Sequence, residues 1–377
     1  MYRCPVTPCL IAKGLLVIME QLIFIGGMAR SGINLLRTML NCHPSIAAGP
    51  ATNNMESIMN LFINMSETHR TGSLAKYLSE DEFTNLLQGF VEGMLLPYAR
   101  KQGKPIVVEA SANTIWAFQA LAQLFPTAKF INVVRDGRDV IASHRNIAQK
   151  MSERGIADIN NIGSPLHTAA LWRETVNVGM SICGPQSDLA REGRAITVRY
   201  EDLVMSPVHE LQRICRLLNV TFDQEMLHPE SRSHDGEFDE LWTTAANAKR
   251  PVSTDSIGKW LTELSFRERM LFLAAGQEAL VALRYEETDD WSLRDLNISQ
   301  EDALLELELV NEEIALSQAS IDQSSASTES NEQDSSLRIE KVVVDNSRDA
   351  SIPIPHLQAG GQSPPTAAGA SRRHEIE

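Results

Sequence analysis

The chain has 377 residues, 43% of them hydrophobic, and a formal net charge of −15. That is enough for one large core or two modest ones, and the acidity argues against general binding to nucleic acid or to anionic membrane. The charge is uneven: residues 297–377 hold 15 Asp/Glu against 5 Lys/Arg, so the first 296 residues keep room for a local basic pocket. Five scattered cysteines (Cys4, Cys9, Cys42, Cys183, Cys215) with no CxxC pair fit reduced thiols in a cytoplasmic protein better than a disulfide framework. The nine histidines show no HExxH spacing, and no metal is expected.

Residues 9–27 are mostly apolar, but Lys13, Glu20 and Gln21 interrupt the run, which is unfavourable for a membrane span. The layout of a signal peptide is also poor here, and residues 1–18 are expected to form a weakly ordered extension. Residues 22–25 read as a buried strand ended by Gly26-Gly27. Leu35, Leu36, Met39 and Leu40 then fall at helical spacing over 31–42. A helix is predicted over 81–98, a strand at 106–108, a helix over 114–125 stopped by Pro126, a strand at 129–134 and a helix over 140–150. A strand at 195–199, a helix over 208–218 and an amphipathic helix over 264–283 complete the pattern. Strands alternating with helices predict an α/β fold with a mainly parallel sheet, here a domain over 19–296. Residues 297–317 fit an acidic helix, and the Ser-, Asp-, Glu- and Pro-rich residues 318–377 a disordered tail.

The sharpest local feature runs from Ile25-Gly26-Gly27 through Arg30-Ser31-Gly32-Ile33-Asn34-Leu35. A glycine turn between strand and helix lets backbone N–H groups converge on one anion, aided by the helix N-terminus. Gly27 and Gly32 have Walker A spacing, but Ile33 and Asn34 stand where that motif needs Lys and Ser/Thr, which weakens a P-loop kinase reading. Arg30 adds a permanent cation suited to a sulfonyl or phosphate oxygen. On the loop alone, an ordinary glycine turn with a solvated arginine fits as well.

Three further blocks stand beside it. They are Leu124-Phe125-Pro126 through Val134-Arg135-Asp136-Gly137-Arg138-Asp139 to Ser143, then Val198-Arg199-Tyr200-Glu201-Asp202, then Gly258-Lys259-Trp260. With the His43-Pro44 turn, and in this order, they resemble the sulfotransferases that use 3′-phosphoadenosine 5′-phosphosulfate (PAPS), and most of all the tyrosylprotein sulfotransferases and their bacterial relatives. The resemblance covers about residues 20–290. It implies a P-loop-like three-layer sandwich and PAPS as co-substrate, with no metal. It further implies in-line transfer of a sulfuryl group to a hydroxyl or amine of a small molecule, a glycan or a protein, protein tyrosine included.

By that resemblance Arg135 and Ser143 bind the 3′-phosphate, and Tyr200 and Lys259 contact the donor, although core packing for Tyr200 and surface charge for Lys259 fit equally well. Arg30, Ser31, Gly32, Asn34 and Leu35 form the donor loop, with Arg30 at the sulfuryl end and with Ile33 and Asn34 where the family's loop pattern has two threonines. The acceptor side departs from the pattern. Ala51 occupies the position of the family's catalytic Glu, and Ala110 that of a strand-end Lys. Glu109, at a strand end, is the best remaining candidate for a general base, ahead of Glu56 and His43. A pseudo-sulfotransferase that binds a nucleotide or a partner without transfer is therefore a second reading, and a P-loop nucleotide kinase a third.

Overall fold

The computed structural model describes residues 20–158, 160–233, 250–288 and 290–293, with 299, 301–302, 305–306 and 308–316 beyond them. The expected extension at 1–18 and tail at 318–377 lie outside the described residues. Five strands form one sheet: β1 (Gln21–Gly27), β2 (Ile46–Ala48), β3 (Ile106–Ala110), β4 (Lys129–Val134) and β5 (Ala195–Arg199). Their order is β2-β3-β1-β4-β5, and every neighbouring pair is parallel. β1 is central, with Phe24 in register with Glu109 on one side and Phe130 on the other.

The helices are α1 (Ile33–Asn41), α2 (Met55–Arg70), α3 (Glu80–Lys101), α4 (Phe118–Leu124), α5 (Gly137–Glu153) and α6 (Pro165–Cys183), then α7 (Asp188–Arg191), α8 (Tyr200–Met205), α9 (Pro207–Leu218), α10 (Trp260–Glu263) and α11 (Phe266–Ala282). Period-two alternation in β1 divides them into layers. Ile23 and Ile25 pack in one cluster with Leu36, Met39 and Leu40 of α1 and Leu211 and Ile214 of α9. Leu22 and Phe24 pack on the other face with Phe83, Leu87 and Val91 of α3 and Phe118 and Leu121 of α4. The architecture is the α/β fold with a parallel sheet that the strand–helix alternation predicts, layered as the family resemblance implies.

Several boundaries differ from expectation for local reasons. α5 begins at Gly137 because the Asp136 carboxylate accepts from Arg138 N at 2.9 Å and caps the helix. The stretch predicted as helix from 114 opens as a 3-10 turn over Ala112–Ala117. β2 has three residues, too few to show a period, and α2 buries only Met55 and Met59, so its sequence carries a faint apolar stripe. A third cluster joins α5, α6 and α11 around Trp172, Trp260, Phe272 and Trp291. Residues 308–316 of the acidic segment are helical, and their Val310 and Ile314 are buried in this same cluster.

Candidate active site

Parallel strands place their C-terminal ends at one edge, where ligands of open α/β sheets bind. β1 leads there into the turn Met28–Gly32 and α1, and β4 leads into Arg135, Asp136 and α5. The turn is tight: Ser31 N donates to Met28 O at 3.1 Å, and Arg30 takes a left-handed φ of 75°. A non-glycine residue there is strained. Arg135 holds it, donating from one guanidinium nitrogen to Arg30 O at 3.0 Å.

Gly32, at the start of α1, has φ 96°, and an added Cβ would meet Tyr200 Cδ2 at 2.5 Å. Tyr200 begins α8 at the end of β5, is buried, and carries the Arg135 guanidinium over its ring at 4.7 Å. Arg30 reaches across the turn and donates from Nε to Ser143 Oγ at 3.0 Å. Burial and then the nearby Arg135 lower the pKa of Arg30 from its usual value. Arg30, Arg135, Ser143, Gly32 and Tyr200, scattered over 170 positions of sequence, thus share one site.

The segment around Ser256–Trp260 crosses this site. Arg135 donates to Ser256 O, and the Asp139 carboxylate accepts from Gly258 N at 2.9 Å and from Trp260 N at 3.0 Å. Arg138 fastens the same segment from behind. Its guanidinium lies 3.8 Å from the Trp260 ring centroid and 4.7 Å from that of Trp291, and it bonds to Asp136 and Glu286. Lys259 is carried on this segment with its side chain exposed. The family blocks named only Arg135 and Ser143 in the β4–α5 region; the anchoring by Arg138 and Asp139 was hidden because the partners Gly258, Trp260, Glu286 and Trp291 lie more than a hundred residues away.

Not every expected contact is made by the expected atoms. Arg30, assigned by the resemblance to a sulfuryl end, points at Ser143, the residue assigned to the 3′-phosphate end. The Ser31 side chain is fully enclosed and lines a narrow crevice with Met28, Asn132, Trp172 and Thr175, beneath the turn. Asn34 and Leu35, in the first turn of α1, are half-buried. Glu201, in the first turn of α8, steadies the β4–α5 turn. It accepts from Asp136 N at 2.9 Å and from Tyr285 Oη at 2.8 Å.

Glu109 sits one strand away, at the end of β3, and is 1% exposed. One carboxylate oxygen accepts from Thr52 Oγ1 at 3.0 Å, Thr52 N at 3.4 Å and Ser111 Oγ, and the other from Thr114 Oγ1 at 2.6 Å. This is a buried carboxyl group satisfied by neighbouring hydroxyls. It pins the loop after β2, and Ala51 on that loop is exposed. Geometry of this kind suits a positioning carboxylate better than a base open to an acceptor. His43 is also engaged, at 2.8 Å from Thr221 O through Nε2.

The site fits an anionic ligand with phosphate groups. Two arginines and a serine hydroxyl converge, and Arg135 Nε is buried with no hydrogen-bond partner among the described residues. Among the described residues no cluster of three or more His, Cys, Asp or Glu has the arrangement of a metal site. No described helix is long and apolar enough to cross a membrane.

Protein-tyrosine sulfotransferase A of Caenorhabditis elegans is 26% identical over 242 residues, which cover 63% of this chain and 60% of that protein. Protein-tyrosine sulfotransferase 1 of Danio rerio is 27% identical over 249 residues, 64% of this chain and 66% of that protein. The chain thus spans less than two thirds of the length of these two relatives. Among solved structures, the sulfotransferase domain from the curacin biosynthetic pathway is 22% identical with a TM-score of 0.49, over 71% of this chain and 99% of that domain. The model of the sulfotransferase family matches residues 22–224, more than half of the 377 residues, and the chain belongs to that family.

Proposed function

We propose that this protein transfers a sulfuryl group from PAPS to a hydroxyl or amine acceptor. The observation that carries the reading is the meeting of Arg30, Arg135 and Ser143 over one glycine turn, at the edge of the sheet where β1 and β4 end. PAPS, when bound, supplies an activated sulfuryl group and a 3′-phosphate that ATP lacks. Arg135 and Ser143 fit the recognition of that phosphate, the guanidinium through charge-assisted hydrogen bonds and the hydroxyl as a neutral donor. Arg30, which donates to Ser143, is the second cation of the set and would exchange that hydroxyl for a ligand oxygen and stabilise charge that develops on it. Lys259 and the segment anchored by Asp139 would cover a bound donor and exclude water.

The acceptor class follows the relatives, whose names specify protein tyrosine, and we take a protein tyrosine hydroxyl as the first acceptor to test. One specific observation keeps a second reading in view. Ala51 carries no base, and Glu109 is occupied by three hydroxyls. That pattern suits a pseudo-sulfotransferase that binds the donor product without turnover. Titration calorimetry with adenosine 3′,5′-bisphosphate against ATP tests the donor assignment: preference for the former supports it, and preference for ATP returns the chain to the nucleotide-kinase reading. Transfer of radiolabelled sulfate to a tyrosine-peptide and alcohol panel then separates the enzyme from the pseudoenzyme.

A further inference from the structure

Asn34 stands in the donor loop where the family pattern carries a threonine, and a side-chain amide has a difficulty that a hydroxyl does not. A hydroxyl rotates to suit an anion. An amide has one acceptor end and one donor end, and only the nitrogen end helps a phosphate or sulfuryl oxygen. Unless something selects the orientation, the loop presents a carbonyl oxygen to an anion in part of its population.

The structure contains a group that selects it. Arg37, one turn along α1 and 1% exposed, donates from Nε to Asn34 Oδ1 at 2.7 Å. Its Nη1 donates to Gly49 O at 3.2 Å and Ala48 O at 3.4 Å, the carbonyls at the end of β2. A guanidinium is a rigid planar fork, so carbonyls bonded at one nitrogen fix where Nε points. The amide oxygen is thereby committed to Arg37. Its Nδ2 hydrogens have no protein partner among the described residues.

We infer that Arg37 is a positioning residue that acts through Asn34, locking the amide with its nitrogen available to the donor's anionic oxygens. The inference rests on the PAPS reading above. It also explains how the loop tolerates the departure from threonine, since Asn34 supplies a donor with defined direction. Because the same guanidinium grips Ala48 and Gly49, it joins the donor loop to the strand end from which the acceptor-side segment with Ala51 departs.

The test is a double-mutant cycle on the full chain, read as the dissociation constant for adenosine 3′,5′-bisphosphate. The four proteins are the wild type, Arg37→Met, Asn34→Thr and the double variant, with melting temperatures measured in parallel. We expect Arg37→Met to weaken binding about 3–10-fold alone, the range of one hydrogen bond. In the Asn34→Thr background, where the hydroxyl needs no orienting partner, it should weaken binding less than about 2-fold. Equal losses in both backgrounds, or no loss in either, overturn the inference, because a residue that only supports the fold costs the same whichever side chain it neighbours. If Arg37→Met does not fold, Arg37→Lys replaces it, keeping the charge and the reach to the β2 carbonyls while lacking Nε; the same coupling is expected. Failure of the wild type to bind the bisphosphate overturns the donor reading and this inference with it. Wild-type binding without coupling overturns this inference alone.

Discussion

The Tyr200 ring lies so close to Gly32 that a Cβ at residue 32 would meet its Cδ2 at 2.5 Å, and Gly32 also holds a left-handed φ of 96°. The glycine is required twice, by backbone conformation and by space. Gly32→Ala should therefore lose about 2–4 kcal/mol of stability, combining the left-handed penalty with overpacking. Chemical denaturation reads this directly. A loss under about 0.5 kcal/mol would mean that Tyr200 moves away freely and is not fixed against the turn.

Glu109→Gln should lower stability by about 1–3 kcal/mol, the scale for breaking a buried hydrogen-bonded site. An amide oxygen replaces a carboxylate that accepts from Thr52, Ser111 and Thr114, and the new NH2 faces hydroxyls already oriented to donate. Affinity for adenosine 3′,5′-bisphosphate should stay within about 2-fold. An unchanged melting temperature with turnover down by about 10²–10⁴-fold would instead mark Glu109 as the general base.

Truncation should separate the two parts of the acidic C-terminal region. Ending the chain after Ser317 keeps Val310 and Ile314, which are buried against the cluster around Trp291, and should leave the melting temperature unchanged. Ending it after Leu293 removes both side chains and should cost about 3–6 kcal/mol, at about 1.5–3 kcal/mol for each buried aliphatic side chain. Equal melting temperatures for the two truncations would show that this helix adds nothing to the core.

His144 predicts a pH dependence. It is buried beside the turn, and Thr168 Oγ1 lies 3.5 Å from Nδ1. Burial and then Arg30 push its pKa down to about 4, with Asp158 and His167 as lesser neighbours. The unfolded chain, with a His pKa near 6.5, takes up a proton that the native state refuses until about pH 4. Stability from this group is therefore whole above about pH 7 and falls as pH drops through that window, by up to about 3 kcal/mol. Asp139 and Glu201, raised by burial, act with the opposite sign, so the comparison is with His144→Gln. Between pH 7 and 4.5 the wild type should lose about 2–3 kcal/mol relative to that variant. Parallel pH profiles would show that His144 titrates normally.

How much of this was legible depended on the range of each interaction. β1, the glycine turn and α1 could be read because hydrophobic period and turn chemistry are local. Arg135 and Ser143 could be placed because they share one strand–helix unit. Arg37 left one signal, a charge on the otherwise apolar face of Leu36, Met39 and Leu40, but its partners Ala48 and Gly49 donate nothing distinctive to the sequence. The Trp260–Arg138–Trp291 stack joins three distant segments and has no local signature. Glu109 was correctly placed at a strand end, yet its partners Thr52 and Thr114, which decide its chemistry, lie on loops whose shape only the fold determines.

The most direct test of the donor assignment is calorimetric binding of adenosine 3′,5′-bisphosphate and of adenosine 5′-monophosphate to the wild type and to Arg135→Ala. Arg135 is nearly buried, with its Nε unpartnered among the described residues and its fork spanning Arg30 O and Ser256 O. The account predicts that the wild type prefers the bisphosphate, and that Arg135→Ala weakens it by about 1.5–3 kcal/mol, the range for hydrogen bonds to charged groups, while hardly changing the monophosphate. Equal weakening of both ligands, or a wild type indifferent to the 3′-phosphate, would contradict it.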